Sequence, residues 1–351
     1  MRDRFLRSME RIVANQERLG ELFWPFDRTL DRKAPRVRKP GADAPVLTEI
    51  TDFGSNPGAL TMFAHVPANL KPDAPLVVVL HGCRQTAASY DRASGWAALA
   101  EEEGFAVLYP EQRLANNQGL CFNWFRPSEV TRDRGELMSI RQMIESLAEH
   151  AKSDRRRIFI TGLSAGGAMT AAMLANYPEL FAGGTIIAGL PFGAARDATR
   201  ALQAMEEAPE RSAREWGDLV RKVSPQIVSK PVISVWHGTA DETVSASNAD
   251  AILAQWLDVY GLDISQFTET ASRARRVRRW RDAEARSLVE FHEVAGLGHG
   301  TPVARGFGGG YATCGEPFML DVGFSSTLEI ARDWGLLPLR RRLARTAAHR
   351  G

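Results

Sequence analysis

The chain is poor in cysteine: three among 351 residues, with no Cys-x-x-Cys spacing. That excludes a disulfide-dense small domain and argues against a structural zinc site. Long apolar runs are also missing. The best one, Leu76-Val77-Val78-Val79-Leu80, falls far short of the roughly 18 residues of a membrane span and reads as a buried strand. Neither charge sign dominates. Lys+Arg 44 against Asp+Glu 42 leaves a formal +2, so nothing global points to a nucleic-acid partner. The N-terminus carries no recognisable export signal. Arg2, Arg4, Arg7, Arg11 and Arg18 alternate with Asp3, Glu10 and Glu17, where a signal peptide needs roughly 7–15 uninterrupted apolar residues. No internal repeat is visible. What is present, 44% hydrophobic and 25% charged residues, is an ordinary globular composition that excludes wholesale disorder.

The first 45 residues read as an extension. Phe5, Met9, Ile12 and Val13 fall near helical spacing, which predicts an amphipathic surface helix. The stretch from 31 to 45 is a Lys-, Arg- and Pro-rich linker. The main domain is expected over 46–337, and a basic tail over 338–351 includes Arg340-Arg341-Arg342.

Within the domain, apolar strands are predicted at Ala59–Val66, Leu76–Leu80, Ala106–Tyr109, Arg157–Thr161, Thr185–Ala188, Val232–Trp236 and Ser287–Val294. Helices are predicted between them at Trp96–Glu103, Glu136–His150, Ala165–Asn176 and Ala249–Tyr260. Alternating strands and helices, with strands lacking period-two alternation, define an α/β fold with a mostly parallel sheet covered on both faces. Gly193–Ser224 is a polar, helix-prone insertion, either a cap over a site or a surface hairpin. Ser272–Arg281 holds six arginines and reads as a solvated strand or turn rather than a nucleic-acid patch.

The strongest chemical signal is Gly162-Leu163-Ser164-Ala165-Gly166-Gly167. It matches G-x-S-x-G between a predicted strand and a predicted helix, the context of a nucleophile elbow. A serine hydroxyl needs a base within hydrogen-bond reach. Of seven histidines, His299 alone lies in a glycine-rich loop directly after a strand, Gly296-Leu297-Gly298-His299-Gly300. Asp241 follows the Val232–Trp236 strand and is the expected acid, with Glu242 as its competitor. The order Ser164, Asp241, His299 is that of α/β-hydrolases. Oxyanion donors are expected from the backbone N–H of Ala165, after the nucleophile, and of Cys83, in the Leu80-His81-Gly82-Cys83 loop.

These motifs, together with Cys121-Phe122-Asn123-Trp124-Phe125 and His237-Gly238-Thr239-Ala240-Asp241, resemble the polyhydroxybutyrate depolymerase-type esterases of the α/β-hydrolase superfamily, relatives of feruloyl and acetylxylan esterases. The resemblance runs from about Leu47 to Leu336. It implies Ser164, Asp241 and His299 as a catalytic triad, and ester hydrolysis through an acyl-enzyme without metal or organic cofactor. It further implies a Cys83–Cys121 disulfide, with Cys314 unpaired. Asn123 and Trp124 are expected to contact substrate, although Trp124 and Phe125 fit a core position equally well. Phe122 stands where the family usually has tryptophan.

The expected partner is an ester substrate, a hydroxyalkanoate oligomer or polymer or a short-chain ester. The alternative is a feruloyl or acetylated plant polysaccharide. No separate substrate-binding domain is recognisable, which favours soluble esters or oligomers. The resemblance implies an extracellular protein, and the missing signal keeps a cytoplasmic one open. Outside enzymes, the readings are a non-catalytic hydrolase-fold binding protein or an arginine-rich surface binder. The intact serine, acid and base argue against both.

Overall fold

The computed structural model describes residues 46–227, 229–304 and 316–337. The N-terminal extension, the basic tail and Cys314 lie outside the described residues. The strands are β1 (Thr48–Ile50), β2 (Thr61–His65), β3 (Leu76–Leu80), β4 (Ala106–Glu111), β5 (Ile158–Leu163), β6 (Gly183–Ile187), β7 (Val232–Gly238), β8 (Thr268–Ala271), β9 (Arg275–Arg281), β10 (Ser287–Val294), β11 (Thr301–Val303) and β12 (Met319–Asp321). The helices are α1 (Ala87–Ser94), α2 (Trp96–Glu103), α3 (Gly135–His150), α4 (Ala165–Asn176), α5 (Ala198–Glu206), α6 (Ala213–Val223), α7 (Ser247–Tyr260) and α8 (Ser326–Asp333).

Ten strands form one sheet in the order β1-β2-β4-β3-β5-β6-β7-β10-β9-β8. The run from β4 to β10 is parallel, and antiparallel pairs close both edges. Apolar residues on β3 serve both faces. Leu76, Val78 and Leu80 join one core with α3, α4 and α7, while Val77 and Val79 join the other with α1, α2 and α8. This is why the strand shows no alternation: both of its faces are buried. The chain runs from β3 outward to β4, then crosses back to β5 on the other side of β3. That reversal is a topological switch point, where open α/β sheets leave a crevice at the carboxyl ends of their strands.

The boundaries differ from the sequence expectation where pairing overrides local signals. β4 continues through Pro110 to Glu111. β3 pairs with β4 only over Ala106–Leu108, so Pro110 lies past that ladder, where a missing N–H is tolerated. The Gly193–Ser224 insertion forms α5 and α6. Trp216 on α6 is 2% exposed, and its carbonyl accepts the side-chain amide of Gln255 on α7, so the hairpin docks on α7. The arginine-rich segment is β9. Val277 and Trp280 face inward, and Arg275, Arg276, Arg278 and Arg279 pair with Glu329, Glu293, Glu269 and Glu290. The segment is thus a half-buried strand with four of its arginines matched by carboxylates.

Backbone packs closely against backbone at the start of α4. A Cβ on Gly166 would stand 2.4 Å from the Leu80 carbonyl oxygen and 2.5 Å from that of His81. Neither neighbour is a flexible side-chain end, so the helix would have to move away from β3. Gly166→Ala is expected to destabilise the protein by about 2–3 kcal/mol, read as a lower urea midpoint. A wild-type midpoint would contradict this close approach.

Candidate active site

Ser164 caps α4 at the end of β5 with φ 56° and ψ −115°, a strained conformation for any residue with a Cβ. The turn is enforced on both sides. Ser164 N–H donates to the Ile187 carbonyl of β6, and a Cβ on Gly162 would lie 2.4 Å from the Gly166 oxygen. The hydroxyl is left at the N-terminal end of α4, where unpaired N–H groups and the helix dipole favour negative charge.

His299 follows β10. Its Nε2 lies 2.9 Å from Ser164 Oγ and its Nδ1 lies 2.8 Å from Asp241 Oδ2. The second Asp241 oxygen accepts the N–H groups of Thr243 and Val244, each at 2.9 Å. Burial works to raise the Asp241 carboxyl, but the hydrogen bond and charge of His299, the Val244 N–H and nearby His237 outweigh it and hold it below the usual range. Asp241 is therefore a carboxylate, as a group that orients imidazole requires. Glu242, the competing acid, is exposed. The acid and base loops are laced together. Thr239 and Ala240 N–H donate to the Val294 and Leu297 carbonyls, Gly296 N–H donates to Thr239 Oγ1, and a Cβ on Gly238 would lie 2.1 Å from the Leu297 oxygen. His237 is buried beside Asp241. Its Nε2 donates to the Val244 carbonyl at 2.9 Å and so holds the turn that wraps the acid.

Across the switch point, the His81-Gly82-Cys83 loop follows β3. Gly82 N–H donates to Gln85 Oε1 at 2.8 Å, and Gln85 Nε2 donates to the Pro317 carbonyl at 2.7 Å. Cys83 is bonded to Cys121, with 4.2 Å between the Cα atoms and 38 residues of separation. A cross-link of that length stabilises by roughly 3–4 kcal/mol on the loop-entropy account. Among the described residues, no protein acceptor takes the N–H of Cys83 or of Ala165.

The two residues expected to contact substrate, Asn123 and Trp124, are buried. Asn123 is 2% exposed. Its side-chain amide donates to Glu136 Oε1, its backbone N–H donates to Glu136 Oε2, and its Oδ1 accepts from Asn117. These bonds tie the segment to the start of α3. Trp124 is 9% exposed and belongs to the core, packed edge-on against Phe125. The sequence reading missed Gln85, Gln112, Glu136 and Phe318. Phe318 is half-buried, stands edge-on to the His299 ring at 5.8 Å and has φ 62°, a costly backbone for a bulky residue. Buried polar residues next to apolar runs are the one sequence signal for the first three, and nothing local marks Phe318.

Among the described residues, Glu290, His292 and Asp333 bring ligating atoms within 4.8 Å of one another. Arg279 lies 3.1 Å from Glu290 and already supplies the countercharge there. No helix among the described residues is long and apolar enough to cross a membrane.

A parallel sheet with a serine elbow at its switch point, and an acid and a histidine on later loops, defines an α/β-hydrolase. Comparison with known proteins narrows the class. Residues 61–283 match the family described as Esterase PHB depolymerase. The chain is 40% identical over 292 residues to poly(3-hydroxyalkanoate) depolymerase C of Paucimonas lemoignei, covering 83% of this chain and 70% of that protein. It is 32% identical over 237 residues to acetylxylan esterase A of Aspergillus oryzae, covering 64% and 75%. Among solved structures, an acetyl xylan esterase from Aspergillus awamori superposes with a TM-score of 0.67 at 28% identity, over 72% of this chain and 94% of the other. The chain belongs to the PHB depolymerase esterase family and is a carboxylic ester hydrolase.

One buried histidine links the site to stability. Burial lowers His81 to about 4, against the pull of its hydrogen bond to the Gly82 carbonyl. Unfolded, it titrates near pH 6.5. Its contribution is therefore complete above about pH 6.5 and is lost as pH falls towards 4, a change of about 3 kcal/mol. Glu136, raised by burial to about 7 against the N–H groups of Gln112 and Asn123, acts with the opposite sign in an overlapping window. The test is thus a difference: urea midpoints from pH 7 to 4 for wild type and His81→Gln. The variant is expected to lack the His81 share of the slope, and parallel curves would contradict it.

Proposed function

We propose that Ser164, His299 and Asp241 hydrolyse esters through an acyl-enzyme, in a single catalytic domain spanning 46–337. The observation that carries the reading is His299, bonded to the serine hydroxyl on one side and to the buried carboxylate on the other. Ser164 Oγ forms a bond to the ester carbonyl carbon as its proton passes to His299 Nε2. The carbonyl oxygen becomes an oxyanion, held by the N–H groups of Cys83 and Ala165. Collapse breaks the bond to the alcohol, which leaves with the proton from His299. A water then gives a proton to His299 and attacks the acyl carbon. The acid departs and the proton returns to Ser164. Asp241 keeps the imidazole in its productive tautomer and stabilises its charged form.

For substrate, the 40% identity over 292 residues to a poly(3-hydroxyalkanoate) depolymerase favours hydroxyalkanoate esters, as oligomers or polymer. The superposition on an acetyl xylan esterase supports acetylated polysaccharide as the second reading.

The test is hydrolysis of p-nitrophenyl esters from acetate to octanoate, then of hydroxybutyrate oligomers and acetylated xylan. Ser164→Ala is expected to lower kcat by about 10⁴-fold or more, and a fluorophosphonate is expected to label wild type at Ser164 alone. Activity that survives in Ser164→Ala would overturn the assignment. A preference for acetylated xylan over the oligomers would select the second substrate.

A further inference from the structure

A chain of buried polar groups runs from α3 to the loop proposed to carry the oxyanion donor. Glu136, in the first turn of α3, is 1% exposed. Its Oε1 accepts from Gln112 Nε2 and Asn123 Nδ2, each at 2.7 Å, and its Oε2 accepts from Asn123 N–H at 2.8 Å. Gln112, also 1% exposed, directly follows β4. Its Nε2 donates as well to the Cys121 carbonyl at 3.0 Å, while its Oε1 accepts from Arg113 N–H and Asn116 Nδ2. Its side chain is thus fully satisfied. The backbone N–H of Gln112 donates to His81 Nε2 at 3.1 Å. That leaves the His81 proton on Nδ1, which donates to the Gly82 carbonyl at 2.7 Å.

The last bond gives the chain its consequence. The Gly82 carbonyl and the Cys83 N–H belong to one planar trans peptide and point in opposite directions. Fixing the carbonyl aims the N–H. The same Gln112 amide holds the Cys121 carbonyl, on the far half of the disulfide that anchors Cys83. Glu136, through Gln112, therefore acts on the Gly82–Cys83 peptide from both sides.

We propose that Glu136, acting through Gln112 and His81, is a positioning residue that aims the Cys83 N–H at the oxyanion. This rests on the reading above of Cys83 as an oxyanion donor. Three N–H donors converge on the two Glu136 oxygens. A glutamine of the same shape would set its own NH₂ group against at least one of them, a mismatch that a buried site does not tolerate. A donor misaimed rather than removed loses part of the 10²–10³-fold in kcat that one oxyanion donor contributes. An interaction made only in the transition state is lost from kcat, with KM unchanged.

The experiment compares matched ester and thionoester substrates at pH 8, with every rate normalised to Ser164 titrated by fluorophosphonate. A thionoester places sulfur, a poor hydrogen-bond acceptor, where the oxyanion forms, so the ester-to-thionoester ratio of kcat reads the oxyanion hole directly. Wild type is expected to favour the ester strongly. Glu136→Gln is expected to lose about 10- to 100-fold in kcat on the ester, with KM unchanged and the ratio reduced. Gln112→Met, which keeps the volume and removes the amide, is expected to shift the ratio in the same direction and serves if Glu136→Gln does not fold. Titrated sites with a wild-type ratio in both variants would overturn the proposal and leave the oxyanion reading standing. A wild-type enzyme that does not discriminate between the two substrates would overturn the oxyanion reading and the proposal with it.

Discussion

Backbones meet at the turn between β5 and α4 with no room for side chains. Gly162 faces Gly166, Gly166 faces the carbonyls of Leu80 and His81, and Gly167 faces those of Ile187 and Gly162. This contact sets how closely the start of α4 approaches the end of β3, and so where the helix begins relative to the switch point. It also forces Ser164 into its left-handed conformation, a cost that only the surrounding sheet can sustain. The strained turn is tolerated because β5 lies in the middle of the sheet, flanked by β3 and β6 and buried along its whole length. Everything else in the site is arranged around a hydroxyl that the sheet has already placed.

The remaining groups arrive on loops, and each loop is tied down by hydrogen bonds. The acid turn wraps Asp241 with two N–H donors and is clamped by His237. The base loop is tied to it through Thr239 and Ala240. The His81-Gly82-Cys83 loop is gripped by Gln85 on one side of Gly82 and by His81 on the other. Loops that carry polar side chains into a buried site must satisfy their own backbone there. The clustering of buried Gln85, Gln112, Asn123, Glu136 and His237 around the crevice follows from that requirement. Fully satisfied networks of this kind hold one geometry, because any alternative leaves a buried donor or acceptor unpaired.

The central strands were legible in the sequence, and the candidate serine, acid and histidine that the fold brings into hydrogen-bond contact each have a local signature there. β3 is an apolar run, and β3 and β10 keep the boundaries read from the sequence. Ser164 and His299 stand in glycine-rich stretches after strands, and Asp241 follows a strand in the turn begun by Gly238. What escaped depends on partners remote in sequence. α1 is closed by a capping box between Thr86 and Ser89, with serine where glutamate would have been the usual signal. Asn123 has the look of a ligand contact in its aromatic segment, yet its partner is Glu136, 13 residues on and across a helix start. Phe318 reaches His299 only through the β11–β12 pairing of Thr301 with Met319. The arginines of β9 read as a solvated strand or turn, but the partners Glu293 and Glu269 that the sheet sets beside them are not marked in the sequence.

The disulfide and the Glu136–Gln112–His81 chain converge on the same short loop, but they act on different states of the protein. The cross-link between Cys83 and Cys121 removes conformations from the unfolded chain. It ties together two segments that each still have free backbone rotations. Which way the Gly82–Cys83 peptide faces is settled in the native state, by hydrogen bonds that exist only when α3, β4 and the loop have docked. Gln112 joins the two devices, because one amide holds both the Cys121 carbonyl and the Glu136 carboxylate. On the proposal above, stability and aim are separable properties of this loop, the first served by a covalent bond and the second by the buried Glu136 carboxylate.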